Sequence, residues 1–296
     1  MSRPARPGVL AHSRARRLGQ GLTSGCAAGS VAAIIAVAGC GSFSSGTAAG
    51  AGPTPATAGA PVAVAAGAAS LQQAFVTVIR RVRPSVVEIR TATGLGSGVV
   101  LDGEGDIVTN AHVVGSASTF QVLSASSTRP VRAVLVGVCR GDDLAVIKVG
   151  ADAGLRAAPF GTSADVAVGD IVLAIGSPLG LGGSVTEGIV SALRKSVAEP
   201  AEPGSPAATL PGAIQTSAAI NPGNSGGALV GIGGEVVGIP TLAAVNRSAG
   251  GLAQGIGFAI PAGAAVRIGR RLAANGAAAG AGRGASNEPA VLPGCG

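Results

Sequence analysis

Short alternations of hydrophobic and polar positions fill the middle of the chain, from about residue 85 to residue 261. Each run is rich in Val, Ile and Leu, and Gly, Asp or Pro separates it from the next run, as is typical of β-strands joined by turns. No ten-residue helical pattern separates the runs, so the sequence favours a sandwich or barrels over a parallel α/β sheet. The twelve predicted strands are VVEIRT, SGVVLD, DIVTNA, TFQVLS, VRAVLVGV, DLAVIKV, IVLAIG, GIVSAL, AIQTSA, GALVG, EVVGI and GFAIP.

Helical spacing occurs on both sides of the strand region. Residues 70–83 carry apolar residues three to four positions apart, which predicts a short amphipathic helix that ends at Pro84. Residues 262–274 predict a closing helix, and the Gly- and Ala-rich tail after it is expected to be loose. The predicted folded domain therefore covers 70–275, and 276–296 form a C-terminal tail.

The N-terminal region has the pattern of an export signal followed by a tether. Residues 1–17 are basic, and the apolar run 26–39 is shorter than the ~20 residues that a membrane-spanning helix requires. A basic region followed by a short apolar run is typical of a secretory signal, here residues 1–39. The uncharged Gly, Ala, Ser, Thr and Pro residues that follow cannot bury enough surface to fold, so we expect 40–69 to be a disordered linker.

Composition and charge exclude two classes of function. Five of the 21 basic residues precede residue 40, and the rest of the chain has 16 basic and 14 acidic residues. This small excess of positive charge is not typical of a nucleic-acid-binding domain. His112 is the only His after the predicted signal, and no CxxC or HxxxH pattern occurs, so we expect no metal site and no cofactor. With 50 Gly, 5 Phe and no Trp or Tyr, the core must consist of Val, Ile, Leu and Ala.

The glycine-rich segment 220–228, INPGNSGGA, contains a candidate nucleophile, Ser225. Its flanking glycines permit a tight loop in which successive backbone N–H groups converge on one point, as an oxyanion hole requires. A serine hydroxyl is a weak nucleophile and needs a base to remove its proton.

His112 is the only residue available as that base, and it stands at the end of a predicted strand. An imidazole takes up and returns a proton near neutral pH, and it needs an acid to fix its tautomer. Asp143, at the start of DLAVIKV, is the candidate acid. The three residues occur in the order His, Asp, Ser, which is the order of chymotrypsin-type enzymes.

The chain resembles the trypsin-like serine proteases of the HtrA (DegP) family. The resemblance rests on GLGSGVVLD, IVTNAHVV, DLAVIKV, AIGSPLGLGGSVTEGIVSAL, IQTSAAINPGNSGGALV and GFAIP, which together span about residues 84 to 261. It implies an all-β, chymotrypsin-like double barrel of two six-stranded antiparallel barrels with short flanking helices. It also implies peptide-bond hydrolysis through an acyl-enzyme, protein or peptide substrates, and trimers in many members. The implied oxyanion donors are the backbone N–H groups of Gly223 and Ser225, with Asn224 contributing.

The sequence departs from the family pattern in three places. About 35 residues follow Pro261, too few for the PDZ domain that most members carry, so we expect none in this chain. Ser217 stands where the family usually has Asp, and this departure leaves open the ordering of the adjacent loop but not the triad. Ala219, six residues before Ser225, stands where trypsin-like specificity requires a carboxylate. An Arg or Lys side chain would be buried there without a partner, so we expect Val, Ile, Ala or Leu before the cleaved bond.

The sequence has four cysteines, and Cys26 would be removed with the predicted signal. The segment Val37-Ala38-Gly39-Cys40 resembles the lipobox of bacterial lipoproteins, which implies lipidation of Cys40 and anchoring to the outer face of the cell membrane or in the envelope. Cys139 and Cys295 then form an even pair in an oxidising compartment, so a disulfide is predicted, with free thiols as the alternative.

Other functions remain open at this point. The same fold could act as a pseudoprotease or chaperone-like envelope binding module, or as a scaffold lipoprotein that docks a partner. An esterase is less favoured because the chain has no G-x-S-x-G elbow on an α/β pattern.

Overall fold

A computed structural model describes residues 66–92, 94–125, 127, 129–177, 183–193, 196–199, 208–246, 251–282 and 290–291. The predicted signal, nearly all of the predicted linker, Cys40 and Cys295 lie outside these ranges. Helix α1 spans Ala66–Val82, and a 3₁₀ turn at Arg83–Ser85 leads from it into the first strand. Among the described helices, none combines the length and apolarity needed to cross a membrane.

Six antiparallel strands form a first barrel. The strands are β1 (Val86–Arg90), β2 (Leu95–Val100), β3 (Asp106–Thr109), β4 (Thr119–Ser124), β5 (Val131–Cys139) and β6 (Leu144–Val149). Their order is β5-β4-β1-β2-β3-β6, and pairing of β5 with β6 closes the barrel. A single-turn helix, α2 (Ala111–Val114), follows β3.

Side chains of this barrel alternate between two apolar clusters. On β6, Ala145 and Ile147 join Ile89 and Ile107 in a cluster drawn from the first barrel alone. Leu144 and Val146 of the same strand belong to a different cluster, which includes residues of the second half of the molecule. Since successive strand residues point to opposite faces, β6 packs both the barrel interior and the interface with the second half.

A second closed barrel has the strand order β11-β14-β13-β12-β7-β8. The strands of this half are β7 (Ile171–Gly176), β8 (Ser184–Leu193), β9 (Ser196–Glu199), β10 (Ala208–Pro211), β11 (Ile214–Thr216), β12 (Ala228–Gly231), β13 (Val236–Asn246) and β14 (Gly251–Pro261). Strands β9 and β10 pair only with each other. The two closed barrels confirm the predicted fold class.

The two barrels and both longer helices share one apolar cluster. It contains Val82 of α1, Val146 of the first barrel, Ile175 of the second, and Ile268 and Leu272 of the closing helix. That helix, α3, spans Ala262–Gly282. The shared core fixes one barrel against the other, which positions any group that bridges them.

The sequence pattern predicts the number and position of the strands and helices well, but it predicts their lengths less well. All twelve predicted strands occur, and β9, β10 and a short β15 (Ala290–Val291) are additional. Helix α1 begins four residues before residue 70, inside the predicted linker, and α3 continues seven residues beyond residue 275 into the predicted loose tail. Both extensions, 66–69 in α1 and 276–282 in α3, consist of Ala and Gly only, and alanine has the highest helix propensity of all residues.

The short C-terminal strand β15 lies parallel to β5, with Val291 opposite Val138. The next residue of β5, Cys139, is fully buried and disulfide-bonded. Its predicted partner, Cys295, lies outside the described residues, so the pairing stays a prediction.

Candidate active site

His112 lies on the one-turn helix α2, directly after β3. Asn110 is the last extended residue, and Ala111 begins the helix. His112 therefore lies just beyond the strands of the first barrel. The His112 backbone N–H donates to Asp143 Oδ1 at 3.0 Å, and Nδ1 of the ring lies 2.9 Å from Asp143 Oδ2. The sequence pattern placed His112 at the end of a strand, and the structure places it three residues beyond the end of β3, in the helix.

Asp143 is the only non-glycine residue with a positive φ in the described part of the chain, at 50°. It follows a 3₁₀ turn, Arg140–Asp142, and precedes β6. Its carbonyl accepts hydrogen bonds from Asn110 Nδ2 at 3.0 Å and from the Ala111 N–H at 3.2 Å. A left-handed backbone costs an L-residue roughly 1–2 kcal/mol, and these two bonds hold the residue in that conformation.

Thr241, on β13 of the second barrel, completes the environment of the Asp143 carboxylate. Its hydroxyl donates to Asp143 Oδ2 at 2.5 Å, and both side chains are buried. The carboxylate thus accepts three bonds, from the backbone and ring of His112 and from Thr241. Both carboxylate oxygens are therefore held by fixed donors although the side chain is buried.

The bond to Asp143 also fixes the tautomer of His112. An ionised carboxylate accepts hydrogen bonds and donates none, so Nδ1 of the ring carries the hydrogen. The other nitrogen, Nε2, then carries no hydrogen in the neutral ring and can accept a proton. The His112 side chain keeps 24% of its surface exposed, whereas that of Asp143 keeps 1%, so the ring faces outward and the acid does not.

Ser225 lies in the turn between β11 and β12. Within this turn the Asn224 N–H donates to Asn221 O at 3.0 Å, and the Gly227 N–H donates to Asn224 O at 2.9 Å. The Ser225 hydroxyl donates to the carbonyl oxygen of Thr241 at 2.9 Å. Because a serine hydroxyl has one hydrogen, transfer of that proton to His112 first requires it to turn away from Thr241.

Glycines set the shape of the Ser225 turn. Gly223 and Gly226 have φ values of 102° and 80°, which L-residues rarely adopt. A Cβ at Gly226 would lie 2.2 Å from the carbonyl oxygen of Ser97, and one at Gly227 would lie 2.4 Å from that of Ile175. The turn is therefore pressed against main-chain atoms of β2 and β7, and both contacts require glycine.

The remaining predicted site residues lie around this turn. The N–H of Asn224 is engaged inside the turn, which leaves the N–H groups of Gly223 and Ser225 as the proposed oxyanion donors. Ala219 is exposed, and its carbonyl accepts a hydrogen bond from Thr186 Oγ1 at 2.8 Å. Ser217, where the family usually has Asp, bonds Ile189 of β8 twice, through Oγ and through N–H, each at 3.0 Å.

Asp142, the acid beside Asp143, is also buried. Burial raises its pKa above the ordinary value, and the charge of Arg267 partly opposes that shift. The described residues contain no group of three or more His, Cys, Asp or Glu side chains that could hold a metal ion.

Comparison with known proteins places this geometry in a family. The family described as trypsin-like peptidase domain matches residues 96–239. Serine protease PepD of Mycobacterium tuberculosis is 43% identical over 219 residues, covering 68% of this chain and 47% of PepD. Serine endoprotease DegS of Salmonella typhimurium is 40% identical over 205 residues, covering 64% of this chain and 54% of DegS. The chain therefore spans about half the length of these curated relatives.

Solved structures agree with the sequence comparisons. The HtrA-type protease AlgW with tripeptide is 38% identical, with a TM-score of 0.58, over 68% of this chain and 64% of AlgW. The serine endoprotease from Yersinia pestis is 37% identical, with a TM-score of 0.56, over 68% of this chain and 67% of that chain. The chain belongs to the HtrA family of trypsin-like serine proteases.

Three residues near the site of this HtrA-family chain were not predicted from its sequence. Asn110 lies within the motif around His112, and its position two residues before the His was the available signal. For Ser97 the available signal was its place within GLGSGVVLD, whereas Thr241 carries no such signal, since a Thr in a strand is ordinary. Thr241 is separated by 98 residues from Asp143, and Ser97 by 126 residues from Gly223, so only the fold brings each pair together.

Proposed function

We propose that this chain is a serine endopeptidase in which Ser225 is the nucleophile, His112 the general base and Asp143 the residue that orients it. The supporting observation is a continuous set of contacts through Thr241. This residue donates to the carboxylate of Asp143, which binds the His112 ring, and it accepts the hydrogen bond of the Ser225 hydroxyl. The proposal agrees with the family, and it assigns the roles to residues of this chain.

The geometry supports a two-stage reaction. Ser225 Oγ attacks the peptide carbonyl carbon while His112 Nε2 takes the hydroxyl proton, and the carbonyl oxygen becomes an oxyanion. Backbone N–H groups of Gly223 and Ser225 stabilise that oxyanion. His112 then gives its proton to the leaving amine, and a water molecule, activated by the same ring, hydrolyses the acyl-enzyme. Asp143 stays ionised throughout and stabilises the imidazolium.

The side chain before the cleaved bond is proposed to be small to medium and aliphatic. Ala219 offers no charge, and the next residue, Ile220, is buried and fills space beside β14. A Cβ at Gly257 would lie only 2.5 Å from Ile220 Cγ1, so the described wall is apolar and closely packed. A peptide library is expected to show Val, Ile, Ala or Leu before the cut, and a clear Arg or Lys preference would contradict this.

We also propose that the protein is exported, lipidated at Cys40, and carries a Cys139–Cys295 disulfide. The basic and apolar N-terminal pattern and the lipobox-like segment support the first two points. One relative from Haemophilus influenzae is described as a probable periplasmic serine protease. The pairing of β15 with β5 brings the C-terminal region alongside Cys139, which supports the third point.

The test is covalent labelling of the full-length chain, purified in detergent, with a fluorophosphonate probe that reacts with activated serines. We expect labelling of the wild type and none of Ser225→Ala, since loss of the nucleophile lowers triad catalysis by about 10⁴-fold or more. Equal urea-unfolding curves would show that the variant is folded. Absence of labelling in the wild type would contradict the proposal and favour a pseudoprotease or binding module on the same fold.

A further inference from the structure

We propose that Ser97 is a positioning residue that sets the orientation of the oxyanion-forming turn. This inference rests on the proposed function of Ser225, because it concerns how that turn is held during catalysis. Ser97 lies in the middle of β2, in the first barrel, and is completely buried. It bonds the turn of the second barrel on both sides of Asn224.

Each polar atom of Ser97 forms a hydrogen bond with a residue in the Ser225 turn or near the site. Its N–H donates to Ser225 O at 2.9 Å, and its Oγ donates to Gly223 O at 2.5 Å. The same Oγ accepts from the Ser177 N–H at 2.8 Å, directly after β7. Its carbonyl accepts from Thr109 Oγ1 at 2.6 Å, three residues before His112.

These bonds matter because glycine does not orient a peptide group by itself. Gly223 has a φ of 102°, and a residue without Cβ passes between such conformations at little steric cost. The peptide between residues 223 and 224 contains the Gly223 carbonyl and connects the two proposed donors. The Gly223 N–H precedes this peptide and the Ser225 N–H follows it, so its rotation would change the position of one donor relative to the other. A hydrogen bond from a fixed partner to the Gly223 carbonyl resists that rotation.

The partner is fixed in direction as well as in place. Ser177 occupies a lone pair of the Ser97 oxygen with its N–H, so the single hydroxyl hydrogen is left to point at Gly223 O. Ser97 is 0% exposed, so bulk water cannot replace the hydroxyl without opening the interface between the barrels. The hydroxyl therefore acts through the turn, and it does not touch the reacting atoms.

The test compares Ser97→Ala with Ser85→Ala in the full-length protein. Ser85 is an equally buried serine whose hydroxyl also donates to a main-chain carbonyl, that of Ala157, which belongs neither to the His112–Asp143 pair nor to the Ser225 turn. Fluorophosphonate labelling rates are measured beside kcat and KM for a peptide p-nitroanilide with Val before the scissile bond, and urea unfolding reports stability. Both variants lose one buried hydrogen bond, so a general loss of stability affects them alike.

We expect Ser97→Ala to lower kcat and the labelling rate about 10- to 100-fold, since displaced oxyanion donors act in the transition state. KM is expected to stay within threefold, and Ser85→Ala to keep near-wild-type rates. Ser97→Cys, which keeps a weak donor, is expected to label at an intermediate rate and serves if the alanine variant does not fold.

A labelling rate and kcat of Ser97→Ala within threefold of wild type would overturn the inference. If only Ser97→Cys folds, the same result in that variant would overturn it. An equal loss in Ser85→Ala would also overturn it. In these cases labelling of the wild type, but not of Ser225→Ala, would leave the proposed function standing. A wild type that does not label at all overturns both proposals.

Discussion

The two barrels hold their parts of the site by different means. The first barrel supplies His112 and Asp143, which are held by side-chain hydrogen bonds to one another, to Asn110 and to Thr241. The second barrel supplies Ser225 on a turn that is held mainly by main-chain bonds and by close approach of glycines to neighbouring strands, with one side-chain bond, from Ser97 Oγ of the first barrel to Gly223 O. The first half depends on side-chain groups, whereas the second depends mainly on backbone shape.

This difference predicts two kinds of sensitivity to substitution. An isosteric change in the first barrel alters the charge or hydrogen bonding of the pair and leaves the fold intact. In the second barrel, even one added methyl group meets a main-chain oxygen that belongs to a packed strand, so the turn itself must move. The following variants test this contrast, from the largest expected effect to the smallest.

Asp143→Asn is expected to lower kcat about 10³- to 10⁴-fold with little loss of stability. The amide keeps the shape of the carboxylate, but it no longer enforces the tautomer of His112 or stabilises the imidazolium. Labelling rate and urea unfolding are the measurements. The matched control is Asp142→Asn, at the adjacent acid whose pKa is raised by burial, and it is expected to keep activity within threefold. Equal losses in both variants would contradict the role given to Asp143.

Gly226→Ala is expected to reduce labelling about 100-fold or more and to destabilise the protein by about 2–5 kcal/mol. The added Cβ would lie 2.2 Å from Ser97 O at a φ of 80°, so overlap and backbone strain act together. Gly103→Ala is the control, because nothing lies within 4 Å of the added Cβ there and its φ is not positive. Equal stability and activity of Gly226→Ala and Gly103→Ala would show that the close approach of Gly226 to β2 is not needed to hold the Ser225 turn.

Thr241→Val is expected to lower kcat about 10- to 100-fold, since it leaves a buried charged group without one of its three donors. Thr241→Ser keeps the hydroxyl and is expected to recover activity to within threefold of wild type. Steady-state kinetics on the same peptide substrate provides the comparison. Identical losses in both variants would show that retaining the hydroxyl does not rescue activity, which would contradict the role given to the hydrogen bond with Asp143.

The sequence predicted those parts of the molecule that depend on local pattern. Period-two apolar runs located all twelve of the strands that it proposed, and motifs around His112, Asp143 and Ser225 singled these residues out. The two helix extensions were not anticipated because alanine and glycine runs lack an apolar period. Contacts of Thr241 and Ser97 were not predictable, since they depend on how two barrels pack and not on neighbouring residues.

The bond from the Ser97 N–H to Ser225 O has a consequence for folding of the chain. The His112–Asp143 contact lies within the first barrel, and its two residues are only 31 positions apart. Thr241 and the serine turn join that contact only when β2 meets a completed second barrel. Because contacts between residues far apart in the chain are slow to form, the proposed cleavage activity depends on the last stage of folding, in which the two barrels pack together.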